Sequence, residues 1–306
     1  MIRRHVFRCA LLAGLLVHAS AGRSSGADGQ AYDAEKVKQF AGSLLFEGEY
    51  RSAAVEYQRY FLCLADSQIA EKEYAWLRTI ESYRLGGRID LAIRQIDSLE
   101  VWPPCSDSTR CWAGIQRAIC LHDEGNHAAA LKVAERPGGS RCGGRRLEFN
   151  RAILSVGERI HLGMFRNASM IADSALAGGL VRDPRAGSLQ RLGILARDAS
   201  TLRPPDPHAA AALSILVPGL GKVYSRHKFE GVYAFVLNGL AVWQSIDGFH
   251  DDGKSSVKGW TAGAIGVLLY LGNIYGSADI AIREREAERK AFLRQVDQTM
   301  ILGMQR

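Results

Sequence analysis

Three places in this chain hold residue types that could do chemistry. His122-Asp123-Glu124, with His127 close behind, offers the imidazole and carboxylate groups that ligate divalent cations. His127 also occupies a packing place in a sequence repeat, so the group reads as structural and no metal is expected. Cys105 and Cys111 bracket the short polar stretch 106–110 and form the expected disulfide pair in an exported chain. With no Cys-x-x-Cys and no histidine pair at ligand spacing beside them, they do not read as a zinc site. Cys63 and Cys120 read as small core hydrophobes. Pro218-Gly219-Leu220-Gly221-Lys222 invites a phosphate-loop reading, which fails on Leu216 and Val223 where such a loop needs Gly and Ser or Thr. No His-Glu-x-x-His, Gly-x-Ser-x-Gly or Cys–His arrangement occurs. We therefore expect no catalytic residue, no cofactor and no small-molecule substrate.

The elements that must position these groups follow a repeat. Gly48, Gly87, Gly125 and Gly163 recur every 38 or 39 residues. Two places after each stands Tyr50, Ile89, His127 or Phe165, and three further on Ala53, Ala92, Ala130 or Ala168. A period of this length marks stacked helix pairs, none able to bury its apolar face alone. Apolar stripes at helical spacing flank each glycine, such as Val37, Phe40, Ala41, Leu44 and Leu45 before Gly48.

Over residues 33–178 the pattern resembles the tetratricopeptide repeat family. Ala41, Ile80, Ala118 and Val156 fall at that family's small-residue place in the first helix of each pair, two of them larger than the family prefers. Ile89 and His127 depart from it at the aromatic place, and the period exceeds the family's usual ~34 residues. The resemblance implies an all-α solenoid of four helix pairs with a concave protein-binding surface. Glu73, Arg78, Arg117 and Arg151 on the first helices are the expected grips on a protein or peptide partner. Residues 185–202 add a capping helix that completes a domain at 33–202, and a Pro-rich linker at 203–208 ends it.

Beyond Pro207 the composition changes. Residues 209–217 are apolar apart from Ser214, and two longer apolar stretches, 231–243 and 259–278, flank a polar turn at 247–258. The second is long enough for one bilayer crossing; the first needs its flanking residues. Gly259-x-x-x-Gly263 and Gly272-x-x-x-Gly276 would permit close helix contact in lipid. Asn238 and Asp279 are intramembrane polar groups, equally suited to function or to joining the two helices. Pro218, Gly219, Gly221, Tyr224 and Gly231 together resemble the motif of TM2-type two-helix membrane modules, with Lys222 where Gln is more usual. That resemblance implies a membrane hairpin over 209–282 in contact with the lipid bilayer. A mixed-charge helical tail, 283–306, reads as a solvated extension, with Glu286 and Lys290 at supportive spacing.

At 306 residues, 47% hydrophobic and 23% charged, the chain has the composition of a folded protein. Its net charge of +7 is modest, with Lys and Arg scattered among acids, so no nucleic-acid partner is expected. Basic residues from Met1 to Arg8, an apolar run from Cys9 to Val17 and Ala19-Ser20-Ala21 make residues 1–21 a signal peptide. Export followed by two crossings would return Arg226, Lys228, Arg283 and Arg285 to the exported side, against the positive-inside tendency. The expectation is a membrane-anchored scaffold for protein–protein interactions at a bacterial cell envelope, its repeats periplasmic. The alternative is a subunit of an envelope secretion, insertion or transport machinery whose hairpin contacts the complex.

Overall fold

The computed structural model describes residues 33–136, 144–199, 201 and 203–305. The leader at 1–21, the lead-in at 22–32, Pro137 and Cys142 lie outside the described residues. Among those residues the chain is all-helical, with thirteen α-helices and no strand.

Eight helices form four consecutive pairs: α1 (Ala34–Phe46) with α2 (Tyr50–Cys63), α3 (Ile69–Leu85) with α4 (Ile89–Glu100), α5 (Asp107–Asp123) with α6 (His127–Ala134), and α7 (Arg145–His161) with α8 (Phe165–Ala177). Each helix packs on the next in sequence. The four pairs share one turn. Gly48, Gly87, Gly125 and Gly163 all have left-handed backbone, φ between 70° and 83°. The residue after each donates its N–H back to a carbonyl of the preceding helix: Glu49 to Leu44, Arg88 to Tyr83, Asn126 to Leu121 and Met164 to Arg159, at 2.8–2.9 Å. This is the Schellman arrangement, and the lack of a Cβ is why glycine holds the position. Ala53, Ala92, Ala130 and Ala168, five places after the glycines, are fully buried, as are Ala41, Ile80, Ala118 and Val156 on the first helices. Phe40, by contrast, is exposed, so the first stripe is narrower than its sequence suggests.

Helix α9 (Ala186–Ala199) closes the last pair with Leu189, Leu192 and Ala196 fully buried. At its start Arg185 and Asp183 form a buried pair at 2.9 Å. Arg185 also donates to Asn150 Oδ1 at 3.0 Å and lies 4.2 Å from the centre of the Phe149 ring.

The remaining four helices are α10 (Pro207–Leu216), α11 (Leu220–Tyr224), α12 (Lys228–Asp252) and α13 (Val257–Gln305). Between α11 and α12 the Schellman turn recurs, with Arg226 at φ 70° in the glycine place and His227 donating to Lys222 O at 2.9 Å. Helix α13 is 49 residues long, about 74 Å at 1.5 Å per residue. Its first half pairs with α12; its last turns lie against α7 and α9. The tail is therefore no solvated extension. Val296 and Met300 are buried in the same core as Ile153, Leu154 and Leu189, with Phe292, Leu293 and Met304 packed around them. Their i, i+4, i+8 spacing makes one apolar stripe, which the charged residues between them obscure in the sequence.

Candidate functional site

The first helices of the pairs, α3, α5 and α7, share one face, and with the end of α13 they line a groove of about 710 Å³. Tyr74, Arg78, Arg84, Trp112, Arg146 and Asn150 are among its walls. Arg78 pairs with Glu81 at 2.7 Å and lies over the Tyr74 ring; Arg146 lies over Trp112. Cationic groups held on aromatic faces present both charge and apolar surface along the groove. Of the four predicted grips only Arg78 lines the groove. Glu73 accepts hydrogen bonds from Ser106 and Thr109 and so caps the start of α5. Arg117 is held by Asp97 and Glu100 at 2.6 and 3.3 Å. Arg151 is half-buried on α7, away from the groove wall.

At one end of the groove three imidazoles meet. His122 sits in the last turn of α5; the Gly125 turn then reverses the chain and starts α6 at His127, bringing both rings to one side. Glu158 and His161 are three residues apart on α7 and share a face. Glu158 is fully buried and accepts from Nδ1 of His122 at 2.7 Å and Nδ1 of His127 at 2.8 Å. With both Nδ1 atoms donating to Glu158, the neutral form of each ring carries its lone pair on Nε2. His161 Nε2 donates to Asp297 of α13 at 2.6 Å, and His122 Nε2 lies 3.6 Å from the same oxygen. The His127 and His161 rings stack with centres 4.1 Å apart. Burial disfavours charge on His122, but the hydrogen bond and charge of Glu158, aided by Asp297, prevail and raise its pKa above the usual imidazole value. One ring nitrogen from each of the three histidines lies within 4.8 Å of the other two, the spread of groups that could hold a metal ion.

The second feature is the apolar surface of α10, α12 and the first half of α13. No charged residue occurs between Glu230 and Asp247 or between Lys258 and Asp279. Large apolar side chains there, including Tyr233, Phe235, Trp243, Trp260, Leu268 and Tyr275, are more than half exposed. A band of that size is beyond what a water-facing monomer usually shows. Ion pairs bracket it: Lys258 with Asp247 at 2.6 Å at the far end, and at the near end His227 with Glu284 and Arg226 with Glu288 at 2.9 and 2.7 Å. Among the described residues one helix, Val257–Met304 within α13, is long and apolar enough to cross a membrane.

The glycine motif works where α10, α11 and α12 cross. A Cβ on Gly219 would meet Gly231 O, one on Gly221 would meet Ala210 O, and one on Gly231 would lie 2.6 Å from Gly219 O. Pro218 precedes this crossing, and Tyr224 OH accepts from Asp206 N at 3.3 Å. Gly259 and Gly263 do pack closely, against Phe249 and Ser245. Gly272 and Gly276 do not: nothing stands within 4 Å of a Cβ on the first, and only Lys222 at 3.9 Å on the second. Asn238 donates to Ala234 O of its own helix, and Asp279 pairs with Arg283 on α13. Neither joins the two helices. Asn273, which the sequence did not single out, is buried with both polar atoms unpaired.

Cys105 is a free thiol, whereas Cys111 is disulfide-bonded, so these two are not each other's partners. Cys105 instead points back to its own loop, its thiol lying 3.5 Å from Ser106 O. Cys63 is exposed rather than in the core; Cys120 is fully buried, which pushes its thiol up to about 12. The sequence reading of His122 and His127 did not include His161, Glu158 or Asp297, which the packing brings to them. The repeat register held a signal: His127 opens one pair's second helix and His161 ends the next pair's first, and such helices pack together. Comparison of the chain with protein-family models, curated proteins and solved structures finds no match.

Proposed function

We propose that this chain is a membrane-anchored scaffold: a tetratricopeptide-like solenoid whose groove takes a protein segment and whose hairpin lies in the bilayer. The reading rests most on α13. One unbroken helix carries the uncharged apolar band at one end and, at the other, buried Val296 and Met300 with Met304 packed beside them. The uncharged part of α13, 259–278, is about 30 Å long, matching a hydrocarbon core of about 30 Å. That of α12, 231–246, is about 24 Å, so this leg draws Phe229 and the flanking turn toward the interface. The turn at Gly253–Ser255 and the repeats then stand at opposite ends of the hairpin, on opposite faces of the membrane. Export is supported by the Ala-x-Ala pattern near residue 21 and by the disulfide at Cys111, which an oxidising compartment preserves.

The groove is tested on the full chain, because removing residues 209–306 would strip Val296 and Met300 from the repeat core. A photoactivatable phenylalanine at position 78 or 146, on the groove wall, is expected to give discrete protein adducts in native membranes. The same group at position 94, exposed on α4, is expected to give none. Equal adducts from both faces would contradict the scaffold reading.

A further inference from the structure

We infer that His122, His127, His161 and Asp297 form a tetrahedral site for a divalent transition metal such as zinc, with Glu158 as its buried outer support. The donor set comes first. Three imidazoles and one carboxylate are the groups that zinc takes, at about 2.0–2.2 Å, which sets its ligand atoms about 3.3 Å apart. Asp297 Oδ1 already lies 2.6 Å from His161 Nε2 and 3.6 Å from His122 Nε2, either side of that spacing. One ring nitrogen from each histidine lies within 4.8 Å of the other two, wider than that spacing, so ligation requires the side chains to turn and the stacked His127 and His161 rings to part.

The outer shell is in place as well. Metal-bound histidines regularly give their other N–H to a carboxylate, which fixes the tautomer and aims the free nitrogen. Glu158 does this for His122 and His127 at once, from a position with no solvent exposure. A buried carboxylate is costly without a cationic partner, a role open to a protonated imidazole or to a bound cation. Among the described residues neither Glu158 nor Asp297 has a lysine or arginine within ion-pair distance. Three neutral imidazoles and two carboxylates carry two negative charges, which one divalent cation cancels. Ligation through His161 Nε2 would move the proton it now donates to Asp297 onto Nδ1 of the same ring, so the imidazole stays neutral.

The site joins parts of the chain that are far apart in sequence. His122, His127 and His161 belong to α5, α6 and α7, Asp297 to the end of the membrane-reaching helix. A bound ion would clamp α13 to the repeats beside the groove, whether or not the groove holds a partner. The test uses the full chain in detergent, stripped with a chelator and titrated with Zn²⁺ against a chromophoric competitor, then with Co²⁺ alone. One equivalent of Zn²⁺ and the intense visible bands of tetrahedral Co²⁺ are expected. His127→Ala and His161→Ala should abolish both, and Glu158→Gln should weaken Zn²⁺ about 10–100-fold with the Co²⁺ bands retained. Helicity of each variant is checked by circular dichroism, and the wild-type titration decides the matter even if a variant misfolds. Failure of the wild type to compete for Zn²⁺, or equal binding by both histidine variants, would overturn the site and leave the cluster an ion-paired staple.

Discussion

Met300 of α13 sits directly on Gly157 of α7: a Cβ at position 157 would fall on the methionine sulfur. The sulfur fills the space that the missing side chain leaves, and Met300 is 1% exposed. One turn further along α13, Gly303 meets Ile153 in the same way. Two helices whose backbones come this close are fixed in register, and that fixes Asp297 beside His161.

Met300→Ala removes a buried, well-packed side chain and should cost about 2–5 kcal/mol. Gly157→Ala overpacks the same contact and should cost about 1–3 kcal/mol, less the gain of about 1 kcal/mol from replacing a helix-interior glycine. The two are not additive, because the added methyl occupies space that the lost methionine vacates. Denaturant melts of both single variants and the double variant, in detergent, should show the double more stable than the sum of the singles. Strict additivity would mean the contact is not as close as described.

The turn positions should respond with opposite signs. Gly87 and Gly163, at φ 70° and 75°, should each lose about 1–2 kcal/mol on mutation to alanine, the strain of a left-handed residue with a Cβ. Arg226 already bears that strain at φ 70°. Arg226→Gly relieves it and gives up an exposed pair with Glu288 worth about 0–1 kcal/mol, so it should be neutral to stabilising. Thermal melts of the three variants decide; destabilisation by Arg226→Gly as large as that by Gly87→Ala would count against a shared turn.

Stability should also depend on pH through His227. Its hydrogen bond to Glu284, then that to Glu230, raises its pKa above the usual 6.5 in the folded protein. A group raised on folding stabilises fully below its unfolded pKa and loses that contribution as pH climbs through the folded value. The junction between α11–α12 and α13 should therefore weaken from about pH 6.5 upward. Hydrogen exchange of the 226–231 amides, compared between wild type and His227→Gln, isolates this: the difference seen at pH 6 should shrink by pH 8. A difference that grows with pH would reverse the sign of the argument.

Much of the helical framework was readable because each decisive position tolerates few residue types. A left-handed turn calls for glycine and a close helix crossing for alanine; Gly125 and Ala130 show both. The fifth turn escaped notice because Arg226 holds it without a glycine. The histidine cluster was only half visible: His122 and His127 are neighbours in sequence, but His161 and Asp297 reach them through packing between pairs and through a helix that starts beyond a hairpin. The tail misled because its charges outnumber Val296, Met300 and Met304, although those three share one face. Cys105 and Cys111 misled because short spacing suggests a bridge, while the start of α5 places Cys105 in the capping loop and Cys111 inside the helix.

The central claim is that the repeats and the Gly253–Ser255 turn lie on opposite faces of a membrane. It is tested by labelling Cys63, exposed on α2, and a cysteine introduced by Ser255→Cys with a membrane-impermeant maleimide, in sealed membranes from cells making the full chain. Peptide mass mapping then assigns each adduct to its site. The account predicts that one position is labelled in intact membranes and the other only after permeabilisation. Labelling of both from the same side would show that the hairpin does not cross, and the membrane-anchored scaffold would be wrong.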